Sequence, residues 1–99
     1  MVVPTYERPN DLRKCLDSLG LDNQGNQVSY EVIVTDDSKS DRSRKLVETK
    51  FPEISWGKGK QNGPAGNRNA GVKRAKGEWI VFVDDDCIAD KKFLNSYFL

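Results

Sequence analysis

The sequence contains no histidine, only two cysteines and no long apolar run. Without histidine, the chain lacks the commonest general base and the commonest transition-metal ligand, so any metal it binds must accept oxygen ligands. No stretch approaches the ~18 apolar residues that span a bilayer, and no basic and then apolar leader precedes the first strand. We therefore expect a cytoplasmic chain that reaches a membrane surface only through a segment outside this sequence or through a partner.

An excess of charge of one sign is also missing. The chain has 16 Lys and Arg against 15 Asp and Glu, a net charge of +1 in 99 residues. This balance argues against nucleic acid as a partner. Hydrophobic residues make up 36% of the chain, which predicts one domain with a small core. Cys15 is predicted to be a buried thiol; a disulfide with Cys87 stays open, although a reduced setting is the simpler interpretation.

Apolar segments alternate between the strand and helix patterns. Leu12, Cys15, Leu16 and Leu19 recur on one helical face, between Pro9 at the start and Gly20 at the stop. The other predicted elements are strands at 2–3, 31–35, 54–56 and 79–83, helices at 41–50 (with Ser40 as N-cap), about 66–76 (closed by Gly77) and from 91, and loops at 21–29 and 57–64. This alternation predicts an α/β fold with a mostly parallel sheet and helices on both faces.

Three unusual segments each follow a predicted strand. They are Pro4-Thr5-Tyr6, Asp36-Asp37 and Asp84-Asp85-Asp86. Parallel sheets of this kind bind ligands beyond the carboxyl ends of their strands. The three segments should therefore gather at one edge of the sheet.

The aspartate triplet is the first candidate site. On an extended chain the side chains of Asp84 and Asp86 point the same way, and two charges ~6 Å apart repel by roughly 3 kcal/mol at an effective dielectric near 20. A cation would offset this repulsion, and the ions that suit carboxylates and phosphate oxygens are Mn²⁺ and Mg²⁺. The alternative is a solvated acidic turn in which Asp84 or Asp86 caps the next element.

Two further segments have both a functional and a structural interpretation. A carboxylate in Asp36-Asp37-Ser38 could accept a hydrogen bond from a base or ribose, or it could cap a turn. The glycine-rich segment 63–71 could bring a helix N-terminus and Arg68 to an anion, or its small residues could let the helix pack close to the sheet.

The chain resembles glycosyltransferase family 2. The residues that carry the resemblance are Val-Val-Pro-Thr-Tyr-Glu-Arg-Pro (2–9), Tyr-Glu-Val-Ile-Val-Thr-Asp-Asp-Ser-Lys-Ser-Asp (30–41), Gly-Pro-Ala-Gly-Asn-Arg-Asn-Ala-Gly (63–71) and Ala-Lys-Gly-Glu-Trp-Ile-Val-Phe-Val-Asp-Asp-Asp-Cys (75–87). The resemblance implies the Rossmann-like half of an A-type glycosyltransferase fold, a nucleotide-diphosphate sugar donor (often a UDP-sugar), a divalent metal and inversion at the anomeric carbon.

The family's site residues carry over by position. By resemblance, Pro4, Thr5 and Tyr6 lie under the base and Asp37 hydrogen-bonds the uracil. Arg68 lies near the nucleotide, Asp84 and Asp85 contact the ribose or sugar, and Asp86 ligates the metal, with Asp84 as a second candidate ligand. Glu7 replaces the family's usual Asn, and Asn67 replaces a common Ala.

The chain departs from the family most clearly in its length. The resemblance implies a general base and an acceptor pocket in a following segment, which these 99 residues do not include. We therefore expect a truncated donor-binding subdomain over 1–99 with no catalytic residue of its own, and neither the sugar nor the acceptor is assigned. Its main alternative is a nucleotide-binding or structural fragment that pairs with itself through an exposed sheet edge. A metal-dependent phosphatase lacks support, because no Asp-x-Asp follows the first strand.

Overall fold

The computed structural model describes residues 1–25 and 29–98. Its sheet has three parallel strands in the order β1 (Val2–Thr5), β2 (Ile33–Asp36) and β3 (Ser55–Lys58). Val3 lies opposite Val34, and Val34 lies opposite Trp56. The carboxyl ends of all three strands therefore lie at the same edge.

Five helices lie among the described residues. They are α1 (Pro9–Leu19), α2 (Leu21–Gln24), α3 (Arg42–Lys50), α4 (Pro64–Arg74) and α5 (Asn95–Phe98). None of the helices in this described part is long and apolar enough to cross a membrane. The predicted α/β class, with a parallel sheet and flanking helices, is confirmed.

The two faces of the sheet are covered by different helices. Val3 and Val34 belong to the main buried cluster, together with the apolar faces of α1 and α3. On the other face α4 approaches so closely that a Cβ at Gly71 would lie 2.4 Å from Cγ1 of Val2. The predicted role of a small residue in the packing of this helix is therefore confirmed at Gly71.

Helix α1 has the predicted bounds. Pro9 occupies its first turn, where a missing N–H costs nothing, and Gly20 is its C-cap. The predicted face (Leu12, Cys15, Leu16 and Leu19) is entirely buried. Both cysteines are free.

The predicted strand at 79–83 is wrong as a regular strand. Val2 accepts from the Val83 amide and donates to the Val81 carbonyl, so the segment runs parallel to β1, but it forms a single bridge, between Val2 and Phe82. Trp79 is 76% exposed and Phe82 47%. The segment has β1 on one side and no described strand on the other, so its apolar side chains lack a second neighbour.

Smaller differences concern element ends. Part of the predicted loop at 21–29 is helix α2, and residues 26–28 lie outside the described residues. Asp41, not Ser40, is the N-cap of α3, because the Ser40 hydroxyl donates to Glu7 instead. Helix α4 starts at Pro64, two residues before the predicted start, and Ala75 rather than Gly77 is its C-cap.

Candidate functional site

The candidate site is a cleft of about 580 Å³ at the carboxyl edge of the sheet. The segments lie side by side in the order 79–83, β1, β2 and β3. The chain thus adds strands on one side of β1 first, and then crosses back to place 79–83 on the other side of β1. Open α/β sheets bind ligands at this kind of switch point. The lining residues come from all the segments predicted to meet there: Pro4, Thr5, Tyr6, Arg8, Asp37, Lys39, Gln61, Gly63, Pro64, Asn67, Arg68, Asp84, Asp85 and Asp86.

Asp36 and Asp37 divide the two roles considered for their segment. Asp36 is 1% exposed and accepts from the Ser38 amide at 2.8 Å and from the Trp56 indole at 3.1 Å. It therefore forms the turn. Asp37 lines the cleft, and its Oδ1 accepts from the Gln61 amide at 2.9 Å. Its other oxygen has no protein partner among the described residues and can accept from a ligand.

The aspartate triplet lies in a turn and not on an extended strand end. The Cys87 amide donates to the Asp84 carbonyl at 3.0 Å, which closes the turn. Asp84 and Asp86 are exposed to the cleft, whereas Asp85 between them is buried. The acidic turn named as an alternative is therefore present, although neither exposed carboxylate caps a helix in the part of the chain that the structure describes.

A preformed cage of three or more His, Cys, Asp or Glu side chains is absent from residues 1–25 and 29–98. Asp84 and Asp86 each bring a carboxylate to the cleft lining, and the described residues hold no third such ligand with them. Such a pair suits a hard cation that completes its coordination with water and phosphate oxygens.

Asp85 ties the first strand to the aspartate turn. It accepts from the Thr5 hydroxyl at 2.8 Å and pairs with the Arg8 guanidinium at 3.4 Å, across 80 and 77 residues of sequence. Burial is the largest effect on its carboxyl and raises its pKa, although the Thr5 hydrogen bond and Arg8 act in the opposite direction. Both oxygens of Asp85 are thus engaged within the protein.

Glu7 shapes the loop between β1 and α1. Its backbone has φ of 52°, a left-handed conformation that Asn adopts more readily than Glu. Its amide donates to the Ser38 hydroxyl at 2.7 Å. The hydrogen bond from Ser40, followed by the charge of Arg42, lowers the pKa of the Glu7 carboxyl. These contacts hold the loop against the end of β2.

The N-terminus of α4 reaches the cleft through Asn67 and Arg68. The Asn67 side chain is 3% exposed, accepts from the Thr35 hydroxyl at 2.9 Å and donates to the Thr5 carbonyl at 3.3 Å. It therefore fixes α4 to both central strands, a role that alanine could not fill. Arg68 is exposed and lines the cleft one residue further along.

Three cleft residues were missed by sequence reasoning: Arg8, Lys39 and Gln61. Arg8 and Lys39 each lie three residues beyond the end of a strand, which is a usable signal once the strands are known. Gln61 has φ of 58° and contacts Asp37 through its backbone, a feature that residue type alone does not reveal.

The fold and cleft together define a Rossmann-like α/β domain with its ligand site at the switch point of the sheet. Residues 1–97 match the family described as Glycosyl transferase family 2, and the chain belongs to that family. The resemblance, and the A-type glycosyltransferase fold that it implied, are confirmed.

Known relatives cover nearly the whole chain. The poly(ribitol-phosphate) beta-glucosyltransferase of Bacillus spizizenii is 34% identical over 103 residues, which cover 98% of this chain and 16% of that protein. An uncharacterized glycosyltransferase of Haemophilus influenzae is 32% identical over 93 residues, which cover 93% of this chain and 31% of that protein. The chain thus spans less than a third of these relatives.

Solved structures give the same result. The crystal structure of S. aureus TarS 1-349 superposes with a TM-score of 0.81 at 29% identity, covering 97% of this chain and 29% of that one. The same TarS fragment has been solved with UDP, at a TM-score of 0.81 and 30% identity over 97% of this chain and 29% of that one. Its complex with UDP-GlcNAc has a TM-score of 0.79 at 28% identity, with coverage of 97% and 28%.

Proposed function

We propose that this chain is the donor-binding part of an inverting glycosyltransferase and that it binds a nucleotide-diphosphate sugar, in the first instance a UDP-sugar, with Mn²⁺ or Mg²⁺. The observation that carries the proposal is the cleft itself. One wall offers the Asp37 oxygen that has no protein partner among the described residues, and another offers the exposed carboxylates Asp84 and Asp86. The UDP and UDP-GlcNAc complexes of TarS support the same ligand class.

Asp37 suits a base with a ring N–H. Its Oδ1 is held by the Gln61 amide, which leaves the other oxygen of a fixed carboxylate to accept a hydrogen bond. Uracil presents such an N–H donor at N3, whereas cytosine presents an acceptor at that position. Tyr6 is 55% exposed on the lining and offers an aromatic face for the base, beside Pro4. This half of the cleft would therefore select uridine over cytidine.

Asp84 and Asp86 suit the diphosphate end. A divalent cation held by these two carboxylates would neutralise the charge of the departing diphosphate. The cleft's own residues then bind and orient the donor: Arg68 offers a fork for phosphate oxygens at the N-terminus of α4. Thr5 and Asp85 hold the aspartate turn against β1. The sugar, the acceptor and the residue that activates it are outside this proposal.

The direct test is calorimetric titration of the folded chain with UDP, with and without Mn²⁺, and with CDP as the mismatched base. We expect Mn²⁺-dependent binding of UDP and weaker binding of CDP. Asp86→Ala should remove the Mn²⁺ dependence and leave the fold intact. Loss of one hydrogen bond to a charged group costs about 1.5–3 kcal/mol, so Asp37→Asn should weaken UDP binding by about tenfold or more.

Asp17→Asn is the matched control, because Asp17 is an exposed carboxylate on α1 outside the cleft lining. No heat with UDP on a folded sample would count against the proposal and leave the non-catalytic, self-associating fragment as the better description. UDP binding by the Asp86→Ala variant that still depends on Mn²⁺ would show that the metal assignment is wrong.

A further inference from the structure

Arg8 is a cationic residue of the cleft that has no role in the proposed binding of the metal or of the uracil. It is the N-cap residue of α1, yet its side chain makes no capping hydrogen bond. The side chain is 57% exposed and lines the cleft, and its one partner among the described residues is Asp85, at 3.4 Å. A guanidinium has five N–H donors, so most of its donors stay free for a ligand.

The ion pair with Asp85 contributes too little to folding stability to account for the presence of Arg8 in the cleft. One N–H contact at 3.4 Å to a half-exposed guanidinium is the kind of ion pair that contributes ~1 kcal/mol or less to folding. The contact does have a geometric consequence. Asp85 is 8% exposed and is itself held by Thr5, so it fixes one edge of the guanidinium beside the aspartate turn.

The charge of this wall means that a bound anion needs a cation beside it. The aspartate turn brings three carboxylates to one wall, and a diphosphate would add more negative charge there. A guanidinium can bind two phosphate oxygens at once, stays protonated at any physiological pH and is less tightly hydrated than an ammonium. Arg8 is also the cation in direct contact with the aspartate turn, whereas Arg68 lies on α4.

We propose that Arg8, oriented by Asp85, binds the diphosphate of the nucleotide donor. The inference rests on the proposed function and adds a diphosphate-binding residue to it. The role is separable from recognition of the base, because the base end of the cleft is assigned to Asp37 and Tyr6.

The test compares UDP with uridine, which lacks the diphosphate, by titration of the wild type and of Arg8→Gln, Arg8→Lys and Arg13→Gln. Arg13 is the matched control, because it is exposed on α1 and outside the cleft lining. We expect Arg8→Gln to weaken UDP binding about tenfold, or about 1.4 kcal/mol, with uridine binding unchanged. Arg8→Lys keeps the charge but loses the bidentate geometry of the guanidinium, so it should weaken UDP binding less than Arg8→Gln. Arg13→Gln should change neither ligand.

Salt dependence gives a second readout. UDP binding by the wild type should weaken with added salt more steeply than that of Arg8→Gln, because the variant has lost one charge contact with the ligand. Unchanged UDP affinity in Arg8→Gln, or an equal loss for uridine and UDP, would overturn the inference while the proposed function stands. If Arg8→Gln does not fold, unchanged UDP affinity in Arg8→Lys overturns it. A wild-type chain that binds neither ligand overturns the proposed function and this inference with it.

Discussion

Residues 32–35 and 79–83 are two apolar runs, each followed by aspartates, that occupy different environments in the fold. β2, which begins at Ile33, lies between β1 and β3, and all four of its residues are buried. The run at 79–83 lies beside β1 alone, and Trp79, Ile80 and Phe82 remain exposed. Similar hydrophobicity thus leads to full burial in one case and to an exposed sheet edge in the other.

The difference lies in the number of neighbours and not in composition. A strand with two paired neighbours and a helix on each face loses contact with water on every side. A strand at the edge keeps one row of backbone groups and part of its apolar side chains in water. The aspartates that follow both runs still lie at the same cleft, because the register of each run against β1 sets the position of the turn that follows it.

The largest effect is expected when an isoleucine side chain is truncated in each of the two runs. Ile33 is 1% exposed and Ile80 is 37% exposed. Ile33→Ala should lower the free energy of unfolding by roughly 2–5 kcal/mol, because it removes buried contacts and leaves a cavity. Ile80→Ala should cost about 1 kcal/mol or less, since much of its side chain is already in water. Urea unfolding of the two variants measures both values, and equal losses would mean that the two runs are equally packed.

A second test uses the two tryptophans and addresses self-association through the exposed edge. Trp79 is 76% exposed, whereas Trp56 on β3 donates to Asp36 and lies under the Arg44 guanidinium, 5.1 Å from its ring centroid. We expect the chain to self-associate at high concentration in sedimentation experiments. Trp79→Lys should weaken that association by about tenfold or more without a change in the urea midpoint.

Trp56→Lys is the control. It should lower the urea midpoint and leave self-association unchanged, since it removes a structural hydrogen bond and leaves the 79–83 edge intact. A wild-type chain that stays monomeric at all accessible concentrations would contradict the expectation that this edge pairs with a second copy.

Local patterns in the sequence were sufficient for much of the fold. The bounds of α1 followed from Pro9, Gly20 and the spacing of its apolar residues, and the parallel order of the strands placed Asp37 and the aspartate turn at one edge. The sequence could not indicate that 79–83 would lack a second neighbour, because strand pairing is a property of the whole sheet. It also could not reveal the contact of Arg8 with Asp85, which joins residues 77 positions apart.

The smallest effect expected is a difference in reactivity between the two cysteines, which differ in burial although both lie close to the aspartate turn. Cys15 is buried in the core beneath the sheet, and Cys87 is half-buried in the turn that follows the 79–83 run. Burial, followed by the charges of Cys87 and the aspartates, raises the pKa of Cys15 to about 12. At pH 8 only about one molecule in 10⁴ then carries the reactive thiolate at this position. Mass spectrometry after brief alkylation should find label on Cys87 alone in the native chain and on both cysteines in urea, whereas equal labelling of native Cys15 would mean that the core beneath the aspartate turn opens readily.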